Sequence, residues 1–142
     1  GVRISPLGAA HEMRPDPAPL FTYGYLACQL DQLGIAYLHV YDQSASWIHD
    51  PQSDLLQHLR ACYSGPMILC GGFDDERAEA ALRADLGDMV AFGKHFIANP
   101  DLVDRLRFAA PLAPWDSATI YKGGAKGYID YPTLQEAALG ER

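Results

Sequence analysis

The chain has 142 residues, 49% of them hydrophobic and 20% charged, with a formal net charge of −7. That is ordinary composition for a globular domain, and it excludes collagen-like, low-complexity and disordered classes. A complete (β/α)8 barrel needs roughly 200–250 residues or more and is excluded by length alone. The acidic balance, with Lys and Arg scattered, lacks the basic footprint of a nucleic-acid binder. No apolar run approaches the roughly 18–20 residues of a membrane span. Cys28, Cys62 and Cys70 are too widely spaced for a zinc or C-x-x-C motif. They read as reduced thiols of a cytoplasmic protein, and no metal site is expected. The opening Gly1-Val2-Arg3-Ile4-Ser5 is not a signal peptide. With no lead-in to its first strand, the domain reads as one cut from something longer.

The predicted elements alternate. Residues 1–5 form a short β-branched strand stopped by Pro6 and Gly8, and 9–17 form a loop. Leu20, Tyr23, Leu26, Ala27, Leu30 and Leu33 recur at helical spacing, with Gly34 as the stop. Residues 35–41, Ile-Ala-Tyr-Leu-His-Val-Tyr, are nearly continuously apolar, as a strand buried on both faces should be. Asp50-Pro51 offers a cap for a second helix whose buried stripe is Leu55, Leu56, Leu59 and Cys62. Residues 66–70 are a third strand, ending in Gly71-Gly72. Asp74 caps a helix expected to run through Leu86. Residues 88–92 are a fourth strand, and Asn99-Pro100-Asp101 is expected to start the next helix with Asn99 as its cap. Residues 110–142, rich in Gly, Pro and Tyr, read mainly as an irregular tail.

Strands about 30 residues apart with helices between them imply a parallel sheet with right-handed crossovers. The fold class is therefore α/β, as four consecutive β-α units. These make either half of a (β/α)8 barrel or a small doubly wound sheet. The expected division is a half-barrel over 1–109 and a C-terminal tail packing on it over 110–142.

Sites on such sheets collect at the carboxyl ends of the strands. Gly71-Gly72 and Gly93 end consecutive strands shortly before helices, and Lys94 adds a positive charge. Glycines admit a ligand to the backbone, and helix N-termini present free N–H groups to an anion. Phosphate binding and ordinary strand-to-helix turns both fit these residues. Arg3 lies in an apolar strand, so it either pairs with a carboxylate or faces a ligand. His39 reads as a hydrogen-bonded core histidine rather than a catalytic group.

Taken together, Gly1 to Pro6, Gly34-Ile35-Ala36-Tyr37-Leu38-His39, Gly71-Gly72-Phe73, Phe92 through Leu102, Tyr121 and Gly127-Tyr128-Ile129-Asp130-Tyr131-Pro132 occur in an order that resembles the C-terminal half of the Old Yellow Enzyme family. That family includes N-ethylmaleimide reductase-type and xenobiotic ene-reductases. The resemblance covers essentially the whole chain. It implies strands five to eight of an FMN-containing (β/α)8 barrel. Such an enzyme takes hydride from NAD(P)H and passes it to an alkene activated by a carbonyl or nitro group. By the same resemblance Arg3 faces the flavin N1/O2 edge, and Gly71, Gly72, Gly93 and Lys94 hold the FMN phosphate. Tyr121 lines the flavin and substrate pocket; tail packing is its other reading.

Two departures stand out. The family usually places arginine at the Lys94 position, and lysine keeps the charge without the bidentate fork. The family's substrate-activating group, of the form His-x-x-(His/Asn)-x-Tyr, is not in this sequence. His58 and Tyr63 have the outer spacing, but Ala61 stands between them on a predicted amphipathic helix. The expectations are little or no ene-reductase activity alone, and association with the other half-barrel or with a second copy in a dimer or higher oligomer. The competing reading is a non-catalytic half-barrel or interaction module that does not bind flavin.

Overall fold

The structure is a computed structural model, and it describes residues 1–8, 14, 16–43 and 54–140. Along the chain run β1 (Val2–Ile4), α1 (Pro19–Gln32), β2 (Leu38–Tyr41), α2 (Asp54–Cys62), β3 (Met67–Cys70), α3 (Asp75–Arg83) and β4 (Met89–Ala91). The short helices α4 (Lys94–Ala98), α5 (Leu102–Arg107) and α6 (Leu134–Gly140) follow. The strands form one parallel sheet in the order β1-β2-β3-β4. Crossovers of one hand in a sheet of sequential order put their connecting helices on one face. That is the arrangement of consecutive barrel units.

Register divides the sheet residues cleanly. Ile4 aligns with Val40 and Leu69, and Leu38 aligns with Met67. All five are buried, and the core also contains Ala27 and Leu30 of α1 and Leu55, Leu56 and Leu59 of α2. On the opposite face Arg3 aligns with His39 and Ile68, and Tyr41 aligns with Cys70 and Ala91. Arg3 is exposed, and the other five are only half-buried. The expectation of a strand over 35–41 buried on both faces is therefore corrected. β2 begins at Leu38 and alternates, because among the described residues helices cover only one face.

Local chemistry explains most boundaries. Gly34, at φ +62, donates its N–H to Asp31 and ends α1. The Asp74 carboxylate accepts the Arg77 N–H at 2.8 Å and caps α3. That helix stops at Arg83 rather than Leu86, because Asp85 turns left-handed at φ +56. The Leu86 N–H then returns to the Ala81 carbonyl. Asp88 accepts the Met67 N–H at 2.8 Å and pairs with Arg60 at 3.0 Å, so it fastens α2 to the start of β3. The predicted cap at Asp50-Pro51 lies outside the described residues. No described helix is long and apolar enough to cross a membrane.

The chain divides into two compact units, Gly1–Ala91 and Phe92–Arg142. In the second, Asn99 does not cap a helix. It is fully buried, accepts the Ala113 N–H at 2.7 Å and donates to the carbonyls of His95 and Ala113. The helix after it starts three residues later, at Leu102, and α4 is an extra turn that the sequence did not indicate. The tail, expected to be mainly irregular, carries the helix α6.

Arg105 organises this unit. It is 5% exposed and pairs with Asp101 at 2.7 Å. It also donates to the Pro111 carbonyl at 3.0 Å and to the Pro132 carbonyl at 3.2 Å. The second Asp101 oxygen accepts the Leu134 N–H. Burial pushes the Asp101 pKa up, but the Leu134 N–H and the Arg105 guanidinium outweigh it and hold the carboxyl below its ordinary value. Removing one partner of a buried pair costs about 3–5 kcal/mol. Arg105→Met should therefore lower the denaturation midpoint at neutral pH. A carboxyl with a depressed folded pKa stabilises above its unfolded pKa, and that share is lost as pH falls through the folded value. The gap between wild type and Arg105→Met in urea titrations should narrow at acid pH. A midpoint unmoved by the substitution would contradict this role.

Candidate functional site

The open sheet face gathers Arg3, His39, Tyr41 and Cys70. The Arg3 guanidinium carbon lies 4.3 Å from the centroid of the Tyr41 ring, a cation–π contact. Arg60, Arg77, Arg83, Arg105 and Arg107 each pair with a carboxylate. Among the described residues Arg3 pairs with none, so the ion-pair alternative finds no support. Its exposure also removes the premise of a buried charge. What remains is an exposed cation on the sheet face opposite the helices of its own unit, without a carboxylate partner among the described residues.

His39 is half-buried, and its Nε2 is buried without a hydrogen-bond partner among the described residues. The hydrogen-bonded core histidine of the sequence reading is not what the structure shows, because the groups that bury this nitrogen offer it no hydrogen bond among the described residues. Burial lowers the His39 pKa, and the positive charge of Arg3 lowers it further. Burial pushes the Cys70 thiol up, with Arg3 opposing.

At the end of β3, Gly71 has φ +135 and Gly72 has φ +62. Gly71 is buried, and a Cβ there would collide with the Asp42 carbonyl oxygen. Turn geometry alone therefore requires glycine at 71. The N-terminus of α3 is already served by Asp74, with Asp75 and Glu76 in the first turn. Those acids repel an anion, so any phosphate contact from this segment falls to the glycine backbone.

In the second unit Gly93 differs. Its φ is −93, and a Cβ would meet only the Tyr121 hydroxyl, at 3.7 Å. Nothing in the described fold requires glycine there, and the room it leaves is open. The neighbouring Lys94 is exposed, without a carboxylate partner among the described residues, and its Nζ lies 5.7 Å from the centroid of the Trp115 ring. α4 is too short to lend a helix dipole, so the charge here is that of Lys94. His95 meets Trp115 edge-on at 4.8 Å, and its Nδ1 is buried without a partner among the described residues. Tyr121 is 61% exposed, at φ +62, and meets Tyr128 edge-on at 6.2 Å. A left-handed tyrosine is uncommon, and the contact with Tyr128 keeps part of this ring within the tail while most of it stays exposed.

The structure thus brings Tyr121 to Gly93 in one unit and sets Arg3 among His39, Tyr41 and Cys70 in the other. Tyr41 and Trp115 were missed in the sequence. Each is a lone aromatic whose cation partner is fixed by register or by tail folding rather than by local spacing. The His58 and Tyr63 match is structural. His58 lies against Gly24 and 3.9 Å from the Cys62 sulfur, while the buried Tyr63 donates to the Ile35 carbonyl. Cys62 is pushed up to about 11, by burial and then by contact with Cys28. Among the described residues no cluster of three or more His, Cys, Asp or Glu could hold a metal ion.

The two glycines should respond oppositely to alanine. Gly71→Ala meets backbone in a positive-φ conformation and should cost at least about 1–3 kcal/mol. Gly93→Ala should stay within about 0.5 kcal/mol of wild type. Urea unfolding of both variants checks this, and equal losses would contradict it.

Comparison with known proteins agrees with the geometry. The family model for NADH:flavin oxidoreductase / NADH oxidase matches residues 1–112. Chanoclavine-I aldehyde reductase of Penicillium roqueforti is 37% identical over 139 residues, 92% of this chain and 37% of that protein. The 12-oxophytodienoate reductase 2 of Arabidopsis thaliana is 33% identical over 141 residues, 97% of this chain and 37% of that protein. The chain therefore spans little more than a third of the length of these relatives. Morphinone reductase in complex with tetrahydroNAD superposes with a TM-score of 0.82 at 38% identity, over 93% of this chain and 35% of that one. The old yellow enzyme of Trypanosoma cruzi superposes with a TM-score of 0.81 at 38% identity, over 93% of this chain and 34% of that one. With its four parallel strands matching part of their barrel, the chain belongs to the NADH:flavin oxidoreductase / NADH oxidase family, among the Old Yellow Enzyme homologues.

Proposed function

We propose that the chain is the flavin-phosphate side of an FMN-dependent NAD(P)H oxidoreductase of the ene-reductase type. The observation that carries this reading is Arg3, exposed on the sheet face opposite the core and without a carboxylate partner among the described residues. The family match and the relatives named as reductases support it. The residues present fit the cofactor: Arg3 offers an unneutralised cation, and Gly93 leaves open the space that a Cβ would fill. Bound FMN would supply hydride transfer between NAD(P)H and an alkene activated by a carbonyl or nitro group.

The chain's own residues bind and orient. Arg3 would hold positive charge near the N1/O2 edge of the flavin, fixed electrostatic help placed where negative charge develops on reduction. In the second unit Gly93 leaves the phosphate space and Lys94 supplies a point charge. Tyr121 shapes the substrate side. No residue of this chain takes the part of the His-x-x-(His/Asn)-x-Tyr group, so substrate polarisation and proton delivery come from elsewhere. The partner that completes the open face is the family's first four strands or a second copy of this chain.

A second reading has its own support. Gly71 is explained by its turn, and α3 is capped by an acidic residue. Both suit a half-barrel that binds no flavin. FMN titration separates the two. Wild type and Lys94→Arg should bind FMN alike, and Lys94→Ala should bind about tenfold or more weakly, the scale of a lost charged hydrogen bond. Enone reduction with NADPH by the chain alone should stay near background. Equal FMN affinity in all three proteins would remove Lys94 from the site, and brisk turnover by a monomer would contradict the need for a partner.

A further inference from the structure

Tyr41 closes β2 on the open face, two residues beyond His39, which lies directly opposite Arg3. The ring is thus a diagonal neighbour of Arg3, and the guanidinium carbon rests 4.3 Å from its centroid. Arg3 is exposed, on an edge strand, and no described carboxylate pairs with it. A long cationic side chain in that setting samples many rotamers unless something holds it. The ring face is the contact that does so, and a planar guanidinium suits an aromatic face better than an ammonium would.

Neighbouring groups agree with this placement. His39 and Cys70 share the face; burial is the larger influence on each, and the Arg3 charge reaches both, adding to the lowering at His39 and opposing the rise at Cys70. Tyr41 is half-buried.

We propose that Tyr41 is a positioning residue: its ring holds the Arg3 guanidinium over the open sheet face and so fixes where that charge meets a bound flavin. The proposal rests on the flavin reading for its purpose, but the contact itself does not. A charge fixed in place before the ligand arrives needs no reorganisation when it acts, and that is what gives such a charge its electrostatic effect.

The test has an arm without flavin. In NMR spectra of the 142-residue chain, the side-chain protons of Arg3 should be shifted upfield by the Tyr41 ring current. Tyr41→Phe, which keeps the ring, should preserve the shift, and Tyr41→Leu should abolish it. Arg3 protons at ordinary positions in wild type, or a shift unchanged in Tyr41→Leu, would overturn the proposal. The wild-type measurement decides even if Tyr41→Leu fails to fold. In the flavin arm, Tyr41→Leu should weaken FMN binding about two- to fivefold, the scale of an exposed cation–π contact, and Tyr41→Phe should not. Equal affinity in all three proteins would overturn the positioning role. A chain that binds no FMN while the Arg3 shift persists would instead overturn the flavin reading and leave the contact standing.

Discussion

Everything on this molecule follows from a sheet whose strands run parallel and in sequential order. Same-handed crossovers then lay the connecting helices on one face, and among the described residues of the first unit that face gains the core. Ile4, Leu38, Val40, Met67 and Leu69 are buried there. Arg3, His39, Tyr41 and Cys70 are left on the other side. Period-two alternation does the sorting: a one-residue slip of any strand would exchange the two sets. The functional surface is thus the by-product of the packing surface.

That division tells apart residues the fold needs from residues it does not. Gly71 is needed, because its φ and the Asp42 carbonyl leave no room for a side chain. Gly93 is not, because its φ is negative and a Cβ there would meet only the Tyr121 hydroxyl, at ordinary contact distance. The same contrast separates the arginines. Arg105 is buried, paired and tied to two carbonyls, which is structural work. Arg3 is exposed and, among the described residues, held by a ring alone. Where the fold asks nothing of a glycine or a cation, a ligand becomes the better explanation.

Much of the architecture was legible in the sequence. Helical spacing from Leu20, the stop at Gly34 and the cap at Asp74 are local signals, and the structure follows them. The buried-on-both-faces reading of 35–41 went astray because composition does not say whether the second face finds a cover within the same chain. Asn99 misled for a related reason. Its cap-like position before Pro100 and Asp101 is local, but its partners, His95 and Ala113, are set by how the tail folds back. The anchors of Arg105 at Pro111 and Pro132 are equally invisible to spacing. Among the candidate site residues, the strand-end reading supplied Arg3, the glycines and Lys94, and the family resemblance added Tyr121. The Tyr41 platform needed strand register, since 38 positions of chain separate it from Arg3.

The central claim is that the sheet face opposite the core presents Arg3 to a flavin. The most direct measurement is an FMN titration of wild type against Arg3→Leu, followed by flavin absorbance and fluorescence. The account expects saturable binding by wild type and clearly weaker binding by Arg3→Leu, with both proteins equally folded by circular dichroism. No saturable binding by wild type, or identical affinities in the two proteins, would contradict it.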